Sequence, residues 1–111
     1  MLKPINIGHC YQLLTHLLAG FSSSPVPWNT PDYPVPKVWT HGTCMITFEK
    51  LSAASWDVFS ELQIAKAVAG TIVKCVKADT RWLGGRVAVG PRIEFMVAVF
   101  GRGVVRGTEM A

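Results

Sequence analysis

Hydrophobic residues recur along this chain with two different periods, and each change of period marks an element. Residues 9–21 read His-Cys-Tyr-Gln-Leu-Leu-Thr-His-Leu-Leu-Ala-Gly-Phe, with Cys10, Leu13, Leu14, Leu17, Leu18 and Phe21 at i, i+3, i+4, i+7, i+8 and i+11. This is the apolar stripe of a helix, whose wet side carries His9, Gln12 and His16. Residues 44–49 alternate instead. Cys44, Ile46 and Phe48 point one way, and Met45, Thr47 and Glu49 the other, as in a half-buried strand. A helical period returns from about 60 to 76. Ala65, Val68, Ala69, Ile72, Cys75 and Val76 form its apolar stripe, and Gln63, Lys66, Gly70, Lys74 and Lys77 its wet one. Ser60 and Gln63 have capping-box spacing, and Glu61 suits the positive end of the helix dipole. Trp56, in the loop before that helix, is expected to anchor beneath its start.

Gly84-Gly85 then leads into a strand at 86–89, and Gly90-Pro91-Arg92 supplies a turn with Pro91 suited to its second position. In the strand at 93–100, Ile93, Phe95, Val97 and Val99 share one face. Met96, Ala98 and Phe100 share the other, where only Glu94 is polar. A strand apolar on both faces belongs in the middle of a sheet covered twice. One cover is the helix; the other is the N-terminal arm, the first helix or another chain. Crossover and hairpin rules then predict an α+β fold: a three-stranded, mostly antiparallel sheet, connected β-α-β-β in the order 1-3-2, with one main helix on one face. The strand at 44–49 is its edge, guarded by Glu49 and Lys50.

Between the first helix and this unit lie five prolines in twelve residues, Pro25, Pro27, Pro31, Pro34 and Pro36. Each removes a donor and pushes its predecessor out of the helical region, so the stretch reads as an extended arm. Val26, Trp28, Tyr33, Val35, Val38 and Trp39 are interleaved with the prolines, which suits an arm lying on apolar surface. The organisation predicted is a degraded signal peptide or amphipathic helix at 1–24, a proline-rich arm at 25–40, an α+β domain at 41–101 and a tail at 102–111. As a leader the start has Lys3 and the small residues Gly20 and Ser22, but Gln12, Thr15 and His16 interrupt its apolar run.

The length of 111 residues suits one domain, and a hydrophobic content of 50% is globular rather than disordered. The net charge of +4 changes little. Arg81, Arg86, Arg92, Arg102 and Arg106 are spread out rather than gathered beside aromatics, so nucleic acid is not the expected partner; an intracellular basic nucleic-acid-binding module is the alternative. The apolar run at 9–21 is too short to span a bilayer, so no integral membrane segment is expected.

Three cysteines remain. A strand of about six residues covers ~20 Å, and a helix of about fifteen covers ~22 Å. A helix doubling back over the strand at 44–49 therefore brings Cys75 near Cys44, and a disulfide between these two is expected. It would contribute about 3 kcal/mol by constraining the unfolded chain. Such a bridge implies an extracellular protein, the alternative being a reduced cytoplasmic one. Cys10 fits neither of these two; it is lost by processing, left as a free thiol or paired between chains.

The catalytic inventory is thin. No cysteine or histidine spacing suits a metal, and His41 alone is not a site. No glycine-rich loop joins a strand to a helix. Glu49 and Glu94 on the outer sheet face are the only acid–base pair in sight. A His41–Cys44 nucleophile pair is opposed by strand geometry, which puts i and i+3 on opposite faces. No catalytic residue, cofactor or metal is assigned, and a small hydrolase is a further alternative. What remains is an apolar surface built from Trp28, Trp39, Met45, Met96 and Phe100, for a protein partner or for self-association through the outer sheet face.

The Pro-rich lead-in, Val38-Trp39, Gly42-Thr43-Cys44, Cys75-Val76, Gly84-Gly85, Gly90 and the strand from Phe95 to Gly101 follow in an order that resembles a loose group of small secreted proteins of filamentous fungi. The resemblance covers roughly residues 25–101. It implies secretion, one disulfide and an α+β fold, and it supplies no catalytic residues; some members of the group are candidate effectors.

Overall fold

In the computed structural model, which describes residues 6–73 and 84–101, the first helical stripe becomes α1 (Ile7–Gly20). The Asn6 side chain caps it, accepting the Gly8 N–H at 2.9 Å. Cys10, Leu13, Leu14 and Leu17 are buried, Phe21 packs edge-on against Trp39, and Leu18 is left exposed. The remaining elements are β1 (Pro25–Trp28), β2 (Lys37–His41), β3 (Cys44–Lys50), β4 (Asp57–Ser60), α2 (Glu61–Thr71), β5 (Gly84–Val89) and β6 (Phe95–Gly101).

The fold is α+β, as expected, but its sheets differ from the single three-stranded one predicted. The strands at 44–50, 95–101 and 84–89 do lie in the order 1-3-2. However, β2 adds beyond β3, giving a four-stranded antiparallel sheet β2-β3-β6-β5. The strand beginning at Cys44 is therefore interior. A separate two-stranded ribbon pairs β1 with β4. Both additions come out of the proline arm. Pro25 and Pro27 are two apart, so both lack their N–H on the same side of β1. That is tolerated in a ribbon with one unpaired edge. The alternation of Lys37–His41 starts only after the last proline, where the proline run masks it.

Both helices lie on one face of the sheet. α1 touches β2 and β3, and α2 touches β5 and β6. Between them sit the inward side chains of the sheet, Ile46, Phe48, Phe95, Val97 and Val99, together with Ile64, Val68 and Ile72. The ribbon closes the same core. Trp28 stands edge-on to Phe48 with ring centroids 5.0 Å apart, and Phe59 lies 5.9 Å from Phe95. Each fully buried side chain of this size contributes about 1.5–3 kcal/mol of transfer free energy.

The disulfide joins Cys10 to Cys44, with Cα atoms 5.2 Å apart, and not Cys44 to Cys75. The matched lengths of strand and helix suit any helix with one end over the start of β3. α1 meets that condition with its first turn, through Cys10, the first residue of its buried stripe. Cys75 lies outside the described residues. Closing a loop of 34 residues contributes about 3–4 kcal/mol in the chain-entropy picture.

Other expectations need local correction. Ser60 occupies the N-cap position of α2 but makes no side-chain capping bond. Glu61 reaches back instead to accept the Ser22 N–H at 3.0 Å, tying α2 to the chain leaving α1. The buried stripe of α2 is Ile64, Ala65, Val68 and Thr71, and Ala69 is only half-buried. Lys74, Val76 and Lys77 lie outside the described residues. Trp56 is 48% exposed rather than lodged under α2. In β4 the inward positions are Asp57 and Phe59, so the residue preceding Asp57 points outward.

Candidate functional site

With α1, α2 and the ribbon all on one side, no described element packs on the other side of the four-stranded sheet. The register places that face's side chains. Met45 lies opposite Phe100, Thr47 opposite Ala98, and Glu49 opposite Met96. On the flanks Thr40 sits beside Met45 and Val38 beside Thr47, while Arg86 sits beside Ala98 and Ala88 beside Met96. Met45, Met96, Ala98 and Phe100 are half-buried, and Val38 is exposed. The result is a mainly apolar field with one acid, Glu49, and one base, Arg86, both exposed.

At its centre Thr47 is only 5% exposed, and its hydroxyl has no hydrogen-bond partner among the described residues. A buried hydroxyl without a partner is costly, so it marks either an accepted penalty or a contact made with something else. The alternation of residues 44–49 assigns Thr47 to this face, but no sequence signal shows that it is buried and unsatisfied there.

Of the five residues expected to form the interaction surface, the structure brings three together here: Met45, Met96 and Phe100. Trp28 is 1% exposed in the core, and its Nε1–H donates to the Phe59 carbonyl at 3.1 Å. Trp39 aligns with Ile46 and so belongs to the helix-covered side, where it is half-buried against Phe21. Neither tryptophan of the arm lies on the outer face.

The acid–base pair does not form. Glu49 faces Met96 in the register, whereas Glu94 precedes β6 and is already engaged. The Trp56 N–H donates to its Oε1 at 2.9 Å, and Arg92 reaches its Oε2 through Nε at 3.0 Å and through a terminal guanidinium nitrogen at 2.8 Å. The Trp56 N–H first, and Arg92 second, hold the Glu94 carboxyl below its ordinary titration range. Arg92 also lies over the Trp56 ring, 5.9 Å from its centroid. It is therefore tied into a turn cluster with Glu94 and Trp56. Arg81, Arg102 and Arg106 lie outside the described residues.

Nor does the His41–Cys44 pair survive, because the Cys44 sulfur is in the disulfide and the His41 Nε2 lies 2.7 Å from the Gln12 Oε1. His9 is held equally firmly. Its Nδ1 accepts the Thr43 N–H at 2.9 Å and lies 3.0 Å from the Thr43 hydroxyl. An Nδ1 that accepts an N–H leaves the ring proton on Nε2, so His9 in this setting offers no lone pair to a metal. Its ring is perpendicular to that of His41, with centroids 5.9 Å apart. Among the described residues there is no group of three His, Cys, Asp or Glu side chains suited to a metal ion. No helix among them is long and apolar enough to cross a membrane. Compared with known proteins, the chain matches no family model and no curated protein.

Proposed function

We propose that this is a small exported, non-enzymatic binding protein whose working surface is the face of the four-stranded sheet away from both helices. The observation that carries the reading is the row of Met45, Phe100, Met96 and Ala98 standing in adjacent register on a face that no described element covers. Methionine and aromatic side chains on a flat sheet adapt to a partner's contours and supply large contact area. The Cys10–Cys44 bridge supports an oxidising destination, since such bonds persist outside the cytosol. The resemblance to small secreted fungal proteins points the same way, to an effector-like role exercised through contact rather than chemistry.

Site-directed photocross-linking tests this reading. A photoreactive residue at position 45 should give a discrete protein adduct in the fluid where the protein accumulates. The same probe at Lys66, exposed on α2 on the opposite side, should give none. Equal labelling from both positions, or none from either, would remove the outer face as the working surface.

A further inference from the structure

The partner of this face can be read from where its two charges lie. Neighbouring strands are ~4.8 Å apart, and successive residues on one face are ~6.6 Å apart along a strand. The field is centred on the Thr47–Ala98 pair. Glu49 is one pleat along β3 from Thr47, half a strand spacing off the centre line, which puts it ~7 Å from the centre. Arg86 is level with Ala98 on β5. It is one and a half strand spacings from the centre line, again ~7 Å from the centre.

Any two points on a plane are exchanged by some in-plane two-fold axis, and because these two are about equidistant from the centre of the apolar field, their axis passes through it and the two fields overlap. A two-fold axis lying in the face and bisecting the two directions carries Glu49 of one molecule onto Arg86 of the other. It carries Arg86 onto Glu49 by the same rotation. The two charges are thus complementary under that rotation, as an isologous dimer requires. We infer that the occupant of the outer face is a second copy of this chain, docked face to face with two reciprocal Glu49–Arg86 pairs flanking the Met45, Met96 and Phe100 contact.

This inference rests on the binding role proposed above and narrows it to one partner. The area sets the expected strength. Four strands of about seven residues present roughly 19 by 23 Å, or about 900 Å² over two flat faces. That is below the ~1,200 Å² at which stable interfaces begin. The dimer should therefore be weak, forming and dissociating with concentration, and its charge pairs should make it salt-sensitive.

Glu49 and Arg86 are both exposed, so reversing either charge leaves the core untouched. Sedimentation velocity over a wide concentration range should show reversible dimerisation of the native chain. Glu49→Arg and Arg86→Glu should each weaken it by roughly tenfold or more, because each reversal makes two like-charge contacts per dimer. An equimolar mixture of the two variants should dimerise again. In that heterodimer the arginine introduced at position 49 of one chain meets the glutamate introduced at position 86 of the other, and the unaltered Glu49 and Arg86 meet on the opposite side. That recovery also shows that both variants are folded. A native chain that stays monomeric at every concentration would overturn the inference, and so would a mixture no better associated than its components. Neither result would touch the cross-linking test, whose adduct would then be with a different protein.

Discussion

The ring of His9 lies on the backbone of Gly42, in the space that any side chain at position 42 would fill. Gly42 turns the β2–β3 hairpin with φ of +56°, a conformation natural to glycine and strained for other residues. The next residue, Thr43, gives its N–H to that same ring, and the one after, Cys44, is bridged to Cys10. A glycine, a histidine and a disulfide thus join α1 to the hairpin at one place. Gly42→Ala should destabilise the protein by about 2–3 kcal/mol, from backbone strain and from displacement of the ring. Chemical denaturation of the two proteins measures this; a change under about half a kcal/mol would mean the ring is not seated there. The same junction has a spectroscopic signature. With the Thr43 N–H bonded to the His9 Nδ1, nuclear magnetic resonance should detect scalar coupling between those two nitrogens across the hydrogen bond.

Trp28 belongs to the core and not to a recognition surface. Trp28→Ala should therefore cost about 3–5 kcal/mol. Trp28→Phe should keep most of the packing and lose about 1–2 kcal/mol, by leaving the Phe59 carbonyl without its donor. Thermal unfolding read by circular dichroism distinguishes these outcomes from the near-neutral effect expected of a tryptophan held at the surface for a partner.

These corrections show how far periodicity carries. The helical stripe at Cys10, Leu13, Leu14 and Leu17 and the alternation at Cys44, Ile46 and Phe48 were both legible, because burial on one side leaves its period in the sequence. The order of β3, β6 and β5 followed from the doubly apolar strand at Phe95–Gly101. What periodicity does not encode is which segments meet. Two prolines hid β1, and the placement of α1 over β3 decided which cysteine reached Cys44. For the same reason Met45, Met96 and Phe100 could be assigned to an outer face, while Trp28 and Trp39, known only as apolar residues in an arm, could not be placed on either side.

Thr47 offers a test of the outer face that does not need a partner. Thr47→Val keeps the branched shape and removes a hydroxyl that has no hydrogen-bond partner among the described residues. The variant should be more stable by about 1 kcal/mol. Loss of stability instead would show that the hydroxyl is hydrogen-bonded in solution.

Glu94 predicts a pH effect with a definite sign. The Trp56 N–H and Arg92 favour its ionised form, so folding favours the carboxylate. Its contribution to stability is present above the ordinary glutamate range and fades as pH falls through the lowered value. A carbon-detected titration of the Glu94 carboxyl should give a midpoint below that of an unperturbed glutamate. Glu94→Gln should flatten the acid limb of the stability curve. A midpoint at or above the ordinary value would contradict the Trp56–Glu94–Arg92 cluster.

The disulfide-linked placement of α1 over β3 fixes which face of the sheet the helices cover and which no described element covers, and non-reducing peptide mapping tests it most directly. Trypsin should release fragments 1–37 and 38–50 as one cross-linked species that carries Cys10 and Cys44 and separates on reduction. A species linking fragment 38–50 to the short peptide containing Cys75, or fragments 1–37 and 38–50 recovered apart without reduction, would contradict the account.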